Sequence, residues 1–322
     1  MRIVFCGTPE FATPALRELL SHPDFSVEAV LTQPDRPRGR GHAVSPSPVK
    51  EVAQRAGVRV YQPEKIKSDS AFEFFEHIAP DAVIIIAYGQ IVPARLIAIP
   101  PLGWINLHAS LLPKYRGAAP IAWAIANGER STGLTTMQID AGMDTGPILM
   151  QQEIAIGASE STPELAARMA EAGAPLVIET LAKLGRGEIS GRPQDSSHAT
   201  YAPILKKEDG RVDWGHTAEQ IYNRIRGLAP WPGTYTKFRG QLCHVWGRPA
   251  TTEAGERDAA RTETSFTPGT LLADNRVVRV ACGQGTILEL TNVQLEGRKR
   301  ITVAEFANGA RLAPGERFGD SV

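Results

Sequence analysis

The chain has no long apolar run, no excess of either charge and almost no cysteine, and each shortage closes off a class of protein. No stretch approaches the ~18 consecutive apolar residues of a membrane-spanning helix. The start, Met1-Arg2-Ile3-Val4-Phe5-Cys6-Gly7, holds too short an apolar stretch for the core of a secretory signal. Cys6, Cys243 and Cys282 are the only cysteines; they are far apart, odd in number and contain no C-x-x-C pair. Neither a disulfide framework nor a cysteine-based zinc site is expected from them, and the cytoplasm is the default compartment. Basic and acidic residues both total 35, so no global field draws the chain to nucleic acid, and a polyanionic partner would need a local basic patch. Residues 205–322 hold 17 basic and 14 acidic residues against 18 and 21 in residues 1–204, which gives the C-terminal part the sign that suits phosphate.

What is present is ordinary globular material. With 322 residues, 42% of them hydrophobic and 22% charged, the chain can build a sizeable core and is long enough for two domains. The first part alternates strand-like and helix-like segments. Ile3–Cys6, Val27–Leu31, Asp81–Ala87, Trp104–His108 and Leu134–Ile139 read as strands, and Ser47-Pro48 reads as an N-cap with proline at the first helical position. Ser161-Thr162-Pro163-Glu164 opens a helix that runs to about Leu184. This order predicts an α/β fold, a doubly wound, mostly parallel sheet over residues 1–189. A polar stretch at 190–208 is the linker candidate. Beyond it, a helix at Thr217–Leu228 precedes short strands at Thr234–Phe238, Gln241–Gly247, Gly269–Ala273, Val277–Ala281 and Thr286–Gln294, the spacing of a small β-barrel over 209–322. Residues 251–267 are polar and read as an exposed insertion.

Chemically capable residues are densest between Asn106 and Asp144. Asn106 and His108 are two apart on a predicted strand, so both side chains leave the same face, at the carboxyl end where open α/β sheets bind ligands. Asp144 lies in Gly142-Met143-Asp144-Thr145-Gly146, between two further strands. An amide, an imidazole and a carboxylate on neighbouring loops suit acyl transfer without a covalent intermediate: a donor for an oxygen that becomes negative, and a group that moves a proton. Taken singly, each has a structural reading too; Asp144 could simply hold its glycine-rich turn.

The surrounding residues decide more. Asn106-Leu107-His108-Ala109-Ser110-Leu111-Leu112-Pro113, followed by Asp140-Ala141-Gly142-Met143-Asp144-Thr145-Gly146-Pro147, resembles the signature of the folate-dependent formyltransferases. The resemblance implies that Asn106, His108 and Asp144 are catalytic, that Ser110, Leu111, Leu112 and Pro113 line the folate site, that 10-formyltetrahydrofolate is the donor and that no metal is needed. It also implies a Rossmann-like catalytic domain with an OB-like appendage.

Gln33-Pro34-Asp35-Arg36-Pro37-Arg38-Gly39-Arg40-Gly41 is similar to the loop with which the branch acting on methionyl initiator tRNA grips the acceptor stem. Arg36, Arg38 and Arg40, spaced by proline and glycine, can follow a phosphate backbone. The start, Ile3 to Ala12, is similar to the same branch and departs from a dinucleotide fingerprint, since Pro9 and Ala12 stand where glycines are required. Ala229-Pro230-Trp231-Pro232 resembles the opening of the appended domain, with Trp231 read as packing, and Arg298-Lys299-Arg300 is a basic run within it. The implied activity is formylation of the α-amine of methionyl initiator tRNA by a cytoplasmic monomer that does not engage membranes. A sugar-nucleotide amine is the alternative acceptor; a folate-deformylating hydrolase and a non-catalytic RNA-binding protein are the remaining readings.

Overall fold

Ile3 to Cys6 are fully buried, as the first strand of an α/β core must be. The computed structural model describes residues 1–38, 43–250, 266–274 and 277–319. Arg40 and residues 251–265 of the expected insertion therefore lie outside the described residues. The first elements are β1 (Arg2–Gly7), α1 (Thr13–Ser21), β2 (Ser26–Leu31), β3 (Arg36–Arg38), β4 (Ala43–Ser45), α2 (Pro48–Arg55), β5 (Val60–Tyr61) and α3 (Asp69–Ile78). They are followed by β6 (Ala82–Ile86), α4 (Ala94–Ile97), β7 (Trp104–His108), α5 (Pro120–Ala126), β8 (Ser131–Gln138), β9 (Ile148–Ala155) and α6 (Thr162–Gly185).

One seven-stranded sheet has the order β5-β2-β1-β6-β7-β8-β9. Pairing is parallel from β5 to β7 and antiparallel from β7 to β9. The chain leaves β1 towards one edge and returns at β6 towards the other, which opens a crevice at the carboxyl ends of the strands. All five residues of β6 are buried, the mark of a strand covered on both faces. One face packs Val4, Cys6, Val83 and Ile85 against Phe75 and Trp104; each such side chain contributes about 1.5–3 kcal/mol relative to exposure. Trp104 buries its indole only because Nε1 donates to the Leu96 carbonyl at 2.8 Å. Ser47 caps α2 as expected: its hydroxyl accepts from the Lys50 amide at 3.1 Å, with Pro48 at the first position. The strand expected after the Asp144 loop is β9, whose exposed Gln151-Gln152-Glu153 centre breaks the alternation that would have given its bounds.

The C-terminal elements are α7 (Ala218–Gly227), β10 (Tyr235–Phe238), β11 (Gln241–Pro249), β12 (Leu271–Asp274), β13 (Val277–Ala281), β14 (Ile287–Leu295), β15 (Ile301–Thr302) and α8 (Val303–Ala310). Their sheet is antiparallel in the order β10-β11-β14-β13-β12, with β15 paired to β14. Val245, Val280, Leu288, Leu290 and Val293 fill its inner face beneath Phe238, Phe306 and Phe318. Thr217 and Gln220 form a reciprocal capping box at α7, and Thr302 with Glu305 does the same at α8.

Clustered by contact, the chain forms two units. One holds Met1–Pro120, Ser131–Ala155 and Glu164–Pro203; the other holds Ile121–Arg130, Ile156–Pro163 and Ile204–Val322. Within the second, a Cβ on Gly227 would lie 2.6 Å from the Ala126 amide nitrogen, so glycine there lets α7 approach the backbone of residues 122–126. Trp231 corrects an expectation: it does not pack, being 56% exposed. All three cysteines are buried. Burial pushes the Cys6 thiol well above its ordinary value, Cys243 up to about 11 and Cys282 up to about 12.

Candidate active site

Two loops, residues 109–117 and 139–147, meet at the carboxyl end of β7, and the sequence of each explains its path. Asn106 and His108 are held by β8, where Asn106 is registered with Met137 and His108 with Thr135. His108 is buried at 6% exposure, and its Nε2 lies 3.0 Å from the Tyr115 carbonyl oxygen. A carbonyl only accepts, so this nitrogen carries the hydrogen. Nδ1 is then the ring atom that faces Asp144, whose Oδ2 is 3.7 Å away. That separation is long for a hydrogen bond. The neutral ring presents a lone pair towards the carboxylate, and only a protonated ring pairs with it.

Asp144 holds a left-handed backbone, with φ of +55°, and its Oδ2 accepts from the Gly117 amide at 2.8 Å. A Cβ on Gly146 would meet the Gln138 carbonyl oxygen at 1.8 Å, so glycine is obligatory at that close approach. On the other side of the turn, Asp140 Oδ1 accepts from the Gly142 amide and the Thr145 hydroxyl at 3.0 and 2.7 Å. The loop thus uses one carboxylate to hold itself and leaves the other facing the imidazole.

The residues from Ser110 to Pro113 divide in two. Ser110 is fully buried and its hydroxyl donates to the Lys114 carbonyl at 2.6 Å. Thr135 Oγ1 donates to the Ser110 carbonyl at 2.7 Å and accepts from the Leu112 amide at 3.1 Å. Gln151 Nε2 donates to the Leu112 carbonyl at 2.9 Å, and the Leu112 side chain packs with Met137 and Ile148. Leu111 and Pro113 are the two that keep partial exposure. The segment is therefore a rigid ledge whose inward half is spent on holding it in place.

Of the three arginines, Arg36 is exposed and lines a cleft of about 820 Å³ with Thr8, Gln33, Lys65, Lys67 and Gln90, at the carboxyl ends of β1, β2 and β6. Arg38 ends β3, its backbone registered with Ala43 of β4. Sequence reasoning missed the Tyr115 carbonyl, the Gly117 amide and Thr135, which act through backbone or from a strand interior; only the nearness of Tyr115 and Gly117 to the Ser-Leu-Leu-Pro segment pointed their way. Among the described residues, no helix is long and apolar enough to cross a membrane, and no group of three or more His, Cys, Asp or Glu is placed to hold a metal ion.

This chain is similar to known proteins over both units. The family model for formyl transferase matches residues 1–181, and that for the formyl transferase C-terminal domain matches residues 204–311. The methionyl-tRNA formyltransferase of Solibacter usitatus is 52% identical over 99% of this chain and 99% of its own length. That of Koribacter versatilis is 47% identical, again over 99% of both. Among solved structures, an N-formyltransferase of Helicobacter canadensis, in complex with folinic acid and dTDP-3-aminofucose, shares the fold at a TM-score of 0.63 and 16% identity, over 89% of this chain and 98% of that one. HypX of Aquifex aeolicus with tetrahydrofolic acid aligns at a TM-score of 0.60 and 17% identity; the chain is covered completely but spans only about half, 51%, of HypX. The family match over residues 1–181 and the full-length identity meet in one assignment: the chain belongs to the formyl transferase family.

Proposed function

We propose that the chain transfers the formyl group of 10-formyltetrahydrofolate to the free α-amino group of methionyl initiator tRNA, giving N-formylmethionyl-tRNA for translation initiation. The relatives at 52% and 47% identity, matched over nearly their whole length, support that acceptor. The observation that carries the chemistry is the His108–Asp144 pair, poised with Nδ1 towards the carboxylate at the carboxyl edge of the sheet.

The folate supplies an activated formyl carbon when bound. As the methionyl amine forms its bond to that carbon, charge grows on the formyl oxygen, and the Asn106 amide donates to it. Nδ1 of His108, the ring atom not engaged by backbone, takes the proton released by the amine, and Asp144 stabilises the imidazolium. The proton then passes to the folate nitrogen as its bond to carbon breaks. Leu111 and Pro113, the exposed half of the ledge, contact the folate, with Ser110 and Leu112 fixing their position. Arg36, Arg38 and Arg40 follow the acceptor-stem phosphates, and residues 209–322 supply the rest of the tRNA surface beyond a 190–208 connection. The enzyme works as a cytoplasmic monomer.

The test is formyl transfer from 10-formyltetrahydrofolate to purified methionyl initiator tRNA, with elongator methionyl-tRNA alongside. Formylation of the initiator alone is expected. Folded, folate-binding protein that formylates neither tRNA but does formylate a sugar-nucleotide amine would overturn the acceptor.

A further inference from the structure

The segment 192–202, polar and linker-like in composition, is tied to both loops that carry the catalytic groups. Arg192 exchanges two backbone hydrogen bonds with Ile148, each 2.8 Å, at the start of the edge strand β9. The Thr200 carbonyl accepts from the Arg116 amide at 2.8 Å, and Thr200 Oγ1 accepts from the Tyr115 amide at 2.8 Å. The Ala202 amide donates to the Arg116 carbonyl at 2.7 Å. Tyr115 is the residue whose carbonyl fixes the His108 ring, and its own backbone is left-handed, with φ of +59°.

Between these anchors sits Gln194, and its side chain is fully committed. Its Nε2 donates to the carbonyls of Asp144 and Gly146 at 2.9 and 2.8 Å. Its Oε1 accepts from Arg116 Nε and Nη2 at 3.1 and 2.7 Å. Arg116 is 3% exposed and also donates to Ser196 Oγ at 3.4 Å, again on the strap. A carbonyl on a left-handed residue sets the plane of the next peptide, so the two bonds from Nε2 fix the turn that aims the Asp144 carboxylate. Gln194 thus links the peptide that carries Asp144 to Arg116, the neighbour of both Tyr115 and Gly117, the residues that touch His108 and Asp144.

We infer that Gln194 is a positioning residue for the formyl transfer reaction, and that the 192–202 strap sets the 3.7 Å spacing between His108 and Asp144. This rests on the reading of Asp144 as catalytic. Loss of the two donors lets the loop relax, and a displacement on the order of 1 Å can cost about 10²-fold in rate.

Gln194→Glu isolates the effect, because a carboxylate still accepts from Arg116 but presents only acceptors to the Asp144 and Gly146 carbonyls. The expected result is a fall in kcat on the order of 10–100-fold, with KM for both substrates within about twofold. A residue that merely satisfies Arg116 would tolerate the change. In an Asp144→Ala background the same substitution should cost less than about threefold, since the group it positions is gone. Rates are normalised to folate-binding sites; if Gln194→Glu does not fold, Gln194→Met takes its place, and because it also removes the acceptor for Arg116, its loss is judged only by the comparison with the Asp144→Ala background. A parental kcat in Gln194→Glu beside a damaged Asp144→Ala overturns the strap alone. Equal losses from Gln194→Glu in both backgrounds overturn it as well. A parental kcat in Asp144→Ala sinks the strap together with the catalytic reading beneath it.

Discussion

The two units bury polar groups to different ends. In the first, His108, Ser110, Arg116, Thr135 and Thr136 are all buried within β7, β8 and the loop between them. Some of their hydrogen bonds run to distant segments: Arg116 reaches Gln194, and Thr136 shares one with Thr180. In the second, the buried threonines serve the sheet itself, while Arg226 of α7 donates to the Gly157 and Glu160 carbonyls at 3.2 and 2.7 Å. Thr234 donates to the Val245 carbonyl at 2.9 Å, and Trp214 Nε1 donates to Thr236 Oγ1 at 3.1 Å. Left-handed residues occur in both: Tyr115 and Asp144 stand at the candidate site, Ala79 caps α3, and Arg239 turns the β10–β11 hairpin beside Gly240. Backbone outliers cost of order 1–3 kcal/mol each, so Tyr115 and Asp144 mark positions that the surroundings have to enforce. The lesson is that a buried polar group with long-range partners ties distant segments together, in the second unit at α7 and in the first around His108.

That contrast is sharpest at His108. His108→Ala should lower kcat by about two to four decades with little change in melting temperature, the range for one acid–base or oxyanion group. A rate within a few-fold of the parent would reduce the histidine to a core residue. Leu290→Ala, in the apolar centre of the second unit at 2% exposure, should do the reverse. It should cost about 2–5 kcal/mol in denaturant unfolding while folate binding by the folded protein persists; loss of folate affinity would break the division between the units.

Arg36→Ala addresses a charge outside both cores. It should lower the slope of log affinity for tRNA against log salt by about one and leave folate binding intact. An unchanged slope would remove Arg36 from the tRNA contact. The smallest effect is expected at Glu316, whose carboxylate is held below its ordinary range chiefly by the hydrogen bond from Arg239. A carboxylate lowered in the folded state adds stability above its unfolded value, and that stability is lost as pH falls through the folded value. The wild-type advantage over Glu316→Gln in urea midpoint should therefore exist at neutral pH and vanish in acid; an advantage that grew on acidification would contradict the pairing.

What could be read from residues alone followed the range of each signal. Apolar periodicity and local caps placed β1, β2, β6, β7, α2, α7 and the C-terminal strands, because each is written within about ten residues. The β3–β4 hairpin was hidden inside a run of arginine, proline and glycine that reads as a loop, and the two-residue β5 and β15 are too short to pattern. At the candidate site, the side chains Asn106, His108 and Asp144 could be proposed from the sequence by type and by family likeness. The carbonyl of Tyr115 and the amide of Gly117 could not, since every residue has both. Gln194 lies 50 residues from Asp144, and nothing in a polar, serine-rich stretch distinguishes an amide that bridges two loops from one in water.

The three buried cysteines give the molecule a built-in opening sensor. Alkylation needs a thiolate in reach of solvent, and in the folded protein burial denies both. Labelling can then proceed only through transient exposure, at a rate that counts how often each region breathes. Cys6 lies in the sheet of the first unit, and Cys243 and Cys282 lie in the core of the second. Mass spectrometry of a slow iodoacetamide reaction would thus clock the two units separately, in one tube and with no engineered cysteine.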